Sequence, residues 1–112
     1  MAADPHLADL PTTDLHALRL AAQVMRHKAE LGGRMAIAGY FARLFEASLV
    51  ELAARGEGAR VLTLAAPVGL PPEAGREDRR LLAEYLGLLI ANEQLSARLR
   101  SALRGLRARD CR

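Results

Sequence analysis

The apolar positions in the last third of the chain repeat at the spacing of a coiled coil. Steps of three and four residues connect positions that are all apolar except one asparagine: Tyr85, Leu88, Asn92, Leu95, Leu99, Ala102 and Leu106. A stripe that holds for about three heptads predicts a helix with one apolar face. Because such a helix cannot bury its stripe alone, we predict one long, coiled-coil-like helix over residues 76–108 that packs against another helix, in the same chain or in a second copy.

Two further helical stripes occupy residues 13–56. The first consists of Leu15, Leu18, Ala22, Met25 and Ala29, and the second of Ile37, Phe41, Leu44, Phe45, Leu49 and Leu52. Between them lie Gly32 and Gly33, and two adjacent glycines cost about 2 kcal/mol in a helix interior relative to alanine. We therefore predict two N-terminal helical segments broken at Gly32-Gly33. Residues 1–12 contain two prolines and no periodicity, which predicts a flexible leader.

The connector over residues 57–75 has a different composition. The run from Val61 to Leu64 is β-prone and is bounded by Gly58 and Pro67, so a short strand at residues 60–66 is slightly preferred over a helical extension. The prolines that follow predict a loop. The fold class is then mainly α, with one helical domain over residues 13–112.

The sequences VLTLAAP (Val61 to Pro67) and REDRRLLAEYLGLLIANEQL (Arg76 to Leu95) together resemble the closing segment of a GAF domain. GAF domains are small-molecule-sensing modules that end in a strand, a proline-containing loop and a helix rich in leucine and alanine. The resemblance implies that the terminal helix packs in a dimer and passes signals on. It implies no ligand here, because residues 13–56 predict helices where the family has the sheet that carries its pocket.

Positive charge is concentrated at the end of the chain, although the net charge is only +3. The chain from Gln94 onward contains six arginines and a single acid, Asp110. One interpretation is a solvated helix end that complements the helix dipole and is dispensable for folding beyond Leu103. The other is an anionic partner such as nucleic acid. The arginines that share one outer face, and would make those contacts, are Arg100, Arg104 and Arg107.

Cysteine usage and hydropathy bear on location. The single cysteine, Cys111, rules out an internal disulfide and fits a reducing compartment. The first residues have no apolar run typical of a signal peptide. The most apolar window, Leu81 to Ala91, is far shorter than the roughly 20 residues that cross a bilayer. We expect a cytoplasmic protein without a membrane partner.

No residue pattern indicates a reaction. His27 and Glu30 lie one turn apart and could present two metal ligands, but no second pair accompanies them. Nucleophile, phosphate-loop and Cys/His motifs are not found. We therefore predict no catalytic, cofactor-binding or metal-binding residues and no cofactor. Asn92 allows two interpretations: a buried amide that fixes register and oligomeric state, or a residue at the solvent edge of the stripe.

The leading functional expectation is a non-enzymatic interaction module with a regulatory or signalling role. We expect it to form a homodimer and to bind a further protein partner. Its expected interface consists of Tyr85, Leu88, Asn92, Leu95, Leu99 and Leu106. One alternative is a nucleic-acid-binding protein that uses the arginine-rich helix. Another is a small helical-bundle enzyme or ligand carrier with a pocket near Gly32-Gly33, Tyr40 and Phe41.

Overall fold

The computed structural model describes residues 4–56 and 67–112, and these residues form five helices. The helices are α1 (Pro5–Ala8), α2 (Thr12–Leu31), α3 (Met35–Ala54), α4 (Arg76–Ile90) and α5 (Ala97–Asp110). The predicted fold class, mainly α, is confirmed. The strand predicted at residues 60–66 lies outside the described residues. None of the helices in the described ranges is long and apolar enough to cross a membrane.

The most extensive helix pair is the antiparallel hairpin of α2 and α3. The predicted break at Gly32-Gly33 is confirmed: α2 ends at Leu31, and Gly33 has a φ of 72°, which favours glycine. The Arg34 amide donates to the carbonyl oxygen of Ala29 at 2.9 Å and closes the turn. Apolar faces meet inside the hairpin, and the residues fully buried there include Leu15, Ala22, Ala29, Ile37, Phe41 and Leu44.

The single long helix predicted for residues 76–108 is wrong, because the chain turns back between α4 and α5. The Asn92 side-chain oxygen accepts the amide of Gln94 at 3.0 Å, which holds a tight turn. Ser96 is the N-cap of α5, and its hydroxyl oxygen accepts the Leu99 amide at 3.0 Å. Asn and Ser side chains compete in this way with helical backbone bonds. The reversal lets the chain cover its own stripe, and α4 and α5 pack together.

Residues 4–12 are packed rather than flexible, so that part of the predicted leader is also corrected. Leu7 and Leu10 are buried, at 1% and 4% exposure. The guanidinium of Arg55, at the end of α3, donates to the carbonyl oxygens of Leu10 at 2.5 Å and Ala8 at 2.8 Å. The buried leucines and the charged donor at the end of α3 together hold this segment against the core.

The end of α5 also belongs to the core. Leu99, Leu103 and Leu106 are each 0% exposed. At the start of the helix, the Ser96 hydroxyl donates to the Asp14 carboxylate of α2 at 2.9 Å. Burial of Leu106 contradicts the expectation that residues beyond Leu103 are dispensable for folding, because removing a fully buried leucine is strongly destabilising.

The resemblance to the closing segment of a GAF domain is wrong. Residues 4–56 and 67–112 contain no strand. The helix expected to run through Leu95 ends at Ile90, and a turn follows it. The Leu/Ala-rich composition that produced the resemblance is typical of any packed helix pair, so it carries no family information by itself.

Candidate functional site

The structure divides the predicted dimer interface between the core and the surface. Leu99 and Leu106 are 0% exposed inside the chain, and therefore cannot contact a second copy. Tyr85 is half-buried, with its ring centroid 6.2 Å from that of Phe41, and Leu95 also packs partly on the core. Leu88 is the one large apolar residue of the predicted set that is more than half exposed, at 52%. The turn between α4 and α5 thus removes the continuous stripe.

Asn92 lies exposed in that turn. Its side chain is engaged with the Gln94 amide of the same turn and not with an amide in a helix seam. The interpretation that Asn92 is buried and sets the oligomeric state is therefore wrong. Its role is local, since it stabilises the reversal of the chain.

A different apolar surface is exposed on α2. Leu20, Val24 and Leu31 are 60%, 61% and 77% exposed, and Met35 at the start of α3 is 66% exposed. The three α2 residues project within about 40° of one another, half a turn away from the buried Leu18 and Ala22 face. Together with the exposed His27, they form what we call the α2 outer face: Leu20, Val24, His27 and Leu31.

The spacing of the α2 outer face was visible in the sequence. Leu20, Val24, His27 and Leu31 are separated by four, three and four residues, as in a heptad seam. The core stripe of the same helix has the same period, so the sequence does not show which apolar face is covered. Only the placement of α3 shows that the core takes one face of α2 and leaves the other exposed.

The arginines predicted to contact an anionic partner do not share one open surface. Arg104 is exposed, whereas Arg100 and Arg107 are half-buried. The Nε atom of Arg100 is buried and has no hydrogen-bond partner in the described part of the chain. Arg107 extends toward α4, where its Nη1 lies next to Gly87. The structure therefore weakens the case for a continuous nucleic-acid-binding face on α5.

A second arginine cluster lies where the start of α4 meets the end of the chain. A cavity of about 300 Å³ is lined by four arginines and the thiol-bearing residue: Arg76, Arg79, Arg80, Cys111 and Arg112. We call it the basic cleft. An adjoining cavity of about 330 Å³ is also lined by Arg79 and Arg112 and continues along the Pro71–Pro72 loop. This cluster cannot be recognised in the sequence, because Arg76 and Arg112 lie far apart in the chain.

The Cys111 thiol in this cleft is held mainly in its protonated form. Burial, and next the negative charge of Asp110, raise the pKa of its thiol to about 11. A thiol with that pKa is almost entirely protonated at neutral pH, and the thiolate is the reactive form.

A third cavity, of about 320 Å³, lies between α1 and α5 and is lined by His6, Asp9, Arg98 and Ser101 among others. These residue types occur in nucleophilic catalysis, but no hydrogen bond joins His6, Asp9 and Ser101 in the part of the chain that the structure describes. A triad requires those contacts. The His6 ring packs directly on α5, where a Cβ added at Gly105 would lie 2.6 Å from it.

The longest-range polar contacts form a network around Arg109. Its guanidinium donates to Asp4 at 3.0 Å and to both carboxylate oxygens of Asp110 at 2.7 and 2.9 Å. Asp110 also accepts the hydroxyl of the fully buried Tyr40 at 2.7 Å. Burial and the neighbouring Asp110 carboxylate raise the pKa of Tyr40, while hydrogen bonding to Asp110 is the main cause that raises the pKa of Arg109. The network ties α1, α3 and α5 together.

The residues expected to form a pocket, Gly32-Gly33, Tyr40 and Phe41, lie in different environments in the described part of the chain. Tyr40 and Phe41 are each 0% exposed within the core. Gly32 and Gly33 lie in the exposed turn between α2 and α3. Aromatic burial of this kind contributes to stability.

His27 and Glu30 do not gain a metal-binding partner in the fold. Within the described ranges, no three His, Cys, Asp or Glu residues are grouped so that they could hold a metal ion. Glu30 instead pairs with Arg26 of its own helix, at 3.7 Å.

No protein-family model, no curated protein and no solved structure matches the chain. Function must therefore be argued from the surfaces themselves.

Proposed function

We propose that this protein is a non-enzymatic interaction module that pairs with a second copy of itself through the α2 outer face. The observation that carries the proposal is the exposure of Leu20, Val24 and Leu31, at 60–77%, on one side of a well-packed helix. Scattered surface leucines need no explanation, but an aligned set on one face is typical of an interaction site.

The spacing of the α2 outer face favours a second copy as the occupant. In an antiparallel pair with its two-fold axis between Val24 and His27, Leu20 of one copy lies opposite Leu31 of the other. Val24 then lies opposite His27, so each large side chain meets another across the axis. A two-fold interface uses the same patch on both subunits and requires this kind of self-complementarity.

The charges beside the α2 outer face do not select a partner of opposite sign. Lys28 and Glu30 flank it on opposite sides, each about 80° from Leu20 around the helix axis. A strongly acidic or basic partner would match a flank of one sign. The mixed flanks support pairing with an identical surface.

The size of the face predicts a reversible dimer. The α2 outer face extends from Leu20 to Leu31, about 17 Å along the helix. An interface built mainly on one helix per copy lies at the small end of specific interfaces, so we expect a micromolar dissociation constant. Reversible pairing suits the regulatory or signalling role that we propose. We also propose a cytoplasmic location, since the free Cys111 fits a reducing compartment.

Sedimentation equilibrium across a range of protein concentrations tests the proposal. The wild type should approach a dimer at tens to hundreds of micromolar, and Val24→Asp should remain monomeric because it places a charge in the centre of the interface. The matched control is Leu88→Asp, which changes an exposed leucine on α4 away from the face.

Circular dichroism should show that both variants keep their helices, because both sites are exposed. A wild type that stays monomeric at these concentrations overturns the proposal. So does a dimer that Leu88→Asp disrupts and Val24→Asp leaves intact.

A further inference from the structure

Three of the four arginines of the basic cleft differ from the carboxylate-paired arginines of the chain, which include the fourth cleft residue, Arg80. Arg109 has Asp4 and Asp110 as partners, Arg55 has Glu51, and Arg80 has Glu77 and Glu84. By contrast, Arg76, Arg79 and Arg112 have no carboxylate partner among residues 4–56 and 67–112. In the described part of the chain these three cations have no carboxylate in direct contact, and Asp110, which lines the adjoining cavity, is bound to Arg109 and Tyr40.

Two of these arginines are held in place by backbone oxygens. Arg79 Nη1 donates to the carbonyl oxygen of Ala74 at 3.1 Å, and Arg112 Nε donates to that of Ala108 at 3.0 Å. These bonds orient the guanidinium groups without neutralising them, and each guanidinium retains further N–H donors. Oriented cations that converge on one concave site are a preorganised receptor for an anion.

The chemistry of the cleft favours a phosphate group. Guanidinium groups bind phosphate through paired, charge-assisted hydrogen bonds, and several can act on one phosphate from different sides. Two acids on α4, Glu77 and Glu84, are engaged with Arg80. The Asp78 side chain accepts the Gly75 amide at 3.3 Å.

We propose that the basic cleft binds the phosphate group of a small organic phosphate, whose organic part lies in the adjoining cavity. The two cavities share Arg79 and Arg112, so both arginines can reach a group at their junction. The second cavity is lined on one side by Arg109 and Asp110, which are bound to each other, and on the other by Leu70, Pro71 and Pro72, whose apolar atoms can contact an organic substituent. Volumes of about 300 and 330 Å³ limit the ligand to a small molecule. The step is binding alone, and no bond is made or broken.

Cys111 provides the readout, because it lines the cleft and is the only cysteine of the chain. The rate of Cys111 alkylation by a maleimide at mildly alkaline pH is measured with phenyl phosphate, with inorganic phosphate, and with sodium chloride at matched ionic strength. Phenyl phosphate should slow alkylation at the lowest concentration and inorganic phosphate at a higher one. Chloride should have little effect.

Variants of the cleft locate the site. Arg79→Gln and Arg112→Gln should each raise the phenyl phosphate concentration needed for half-protection by about tenfold, as expected when a charge-assisted hydrogen bond is lost. Arg104→Gln is the matched control, since Arg104 is exposed on α5 and does not line either cavity. It should leave half-protection unchanged. Melting curves in the absence of ligand identify any variant that is misfolded, and Arg79→Lys then serves as the milder change.

Three results would overturn this assignment. The first is equal protection by chloride, which would indicate simple screening. The second is an equal loss in Arg104→Gln, which would indicate an effect of overall charge. The third is half-protection at the same concentration of inorganic phosphate and phenyl phosphate, which would show that the adjoining cavity does not bind the organic part. None of these results depends on dimer formation, so the test is independent of the α2 outer face.

Discussion

Helices α2 and α5 differ in how much of their apolar surface is buried. α5 belongs to the most arginine-rich part of the chain, yet its leucines at 99, 103 and 106 are all 0% exposed. α2 has a fully buried face and also leaves Leu20, Val24 and Leu31 largely exposed on the other side. The difference lies in the neighbours. α5 contacts α1, α2 and α4, whereas the dominant partner of α2 is α3.

A stripe in the sequence identifies apolar positions but not the elements that cover them. The α4–α5 stripe looked as if it needed a second molecule, and the chain covers much of it by turning at Asn92. The α2 stripe looked complete, and a second face remains open. Surface available to a partner depends on how many elements pack around a helix, which is a property of the whole fold.

The largest expected effect comes from the same leucine-to-alanine change on the two helices. Leu103→Ala should lower the free energy of unfolding by about 3 kcal/mol, because it removes buried methyl groups and leaves a cavity. Leu20→Ala should change it by less than about 0.5 kcal/mol, since Leu20 is exposed and alanine favours helix. Urea unfolding, followed by circular dichroism at protein concentrations below those that form a dimer, measures both. Equal losses of unfolding free energy in the two variants would contradict the difference in burial between α5 and α2.

A slightly smaller effect is expected where polar contacts fix the end of α5. Arg109→Gln should lower stability by about 3 kcal/mol or somewhat less, because it leaves two nearly buried carboxylates without their cation. The Asp4 and Asp110 side chains are only 8% and 9% exposed. Tyr40→Phe should cost about 1–2 kcal/mol, since it removes one hydrogen bond to a charged group.

Arg104→Gln is the control for the effect of charge on α5 and should change stability by less than about 0.5 kcal/mol. Thermal melts at pH 7 compare the three variants. If Arg109→Gln proved as mild as Arg104→Gln, the end of α5 would not be held by this network.

The smallest effect concerns the two glycines in α4 and α5. A Cβ at Gly105 would lie 2.6 Å from Cε1 and Nδ1 of His6, so Gly105→Ala should displace the ring and destabilise the protein by about 1 kcal/mol. At Gly87 the nearest atom is Nη1 of Arg107 at 3.4 Å, the end of a flexible side chain. Gly87→Ala should therefore stabilise the protein by about 0.5–1 kcal/mol through helix propensity.

The double variant His6→Ala with Gly105→Ala separates the clash from propensity. Once the imidazole is removed, the alanine at 105 should become stabilising relative to His6→Ala alone. Melting temperatures of the set measure the sign. A Gly105→Ala variant that stabilises the protein even with His6 present would show that α1 does not depend on close approach to α5.

The sequence alone determined the helical character of the chain and the break between α2 and α3. Apolar periodicity and paired glycines act within a few residues, so their effect does not depend on distant parts of the molecule. The residue types that end α4 and start α5 are also recognisable in the sequence. Asn92 and Ser96 favour a turn and a helix N-cap, whereas the leucine stripe on both sides of them favours one continuous helix.

Only the tertiary structure decided which stripes are covered and which side chains converge. Leu99 and Leu106 are buried because the turn at Asn92 returns α5 to α4, and Leu20 is exposed because no described helix packs outside it. Arg76 and Arg112 line one cleft although 36 positions separate them in the chain. Such contacts depend on the arrangement of whole helices. Local pattern sets which residues are apolar or charged, and the packing of distant elements decides which of them remain available to a partner or a ligand.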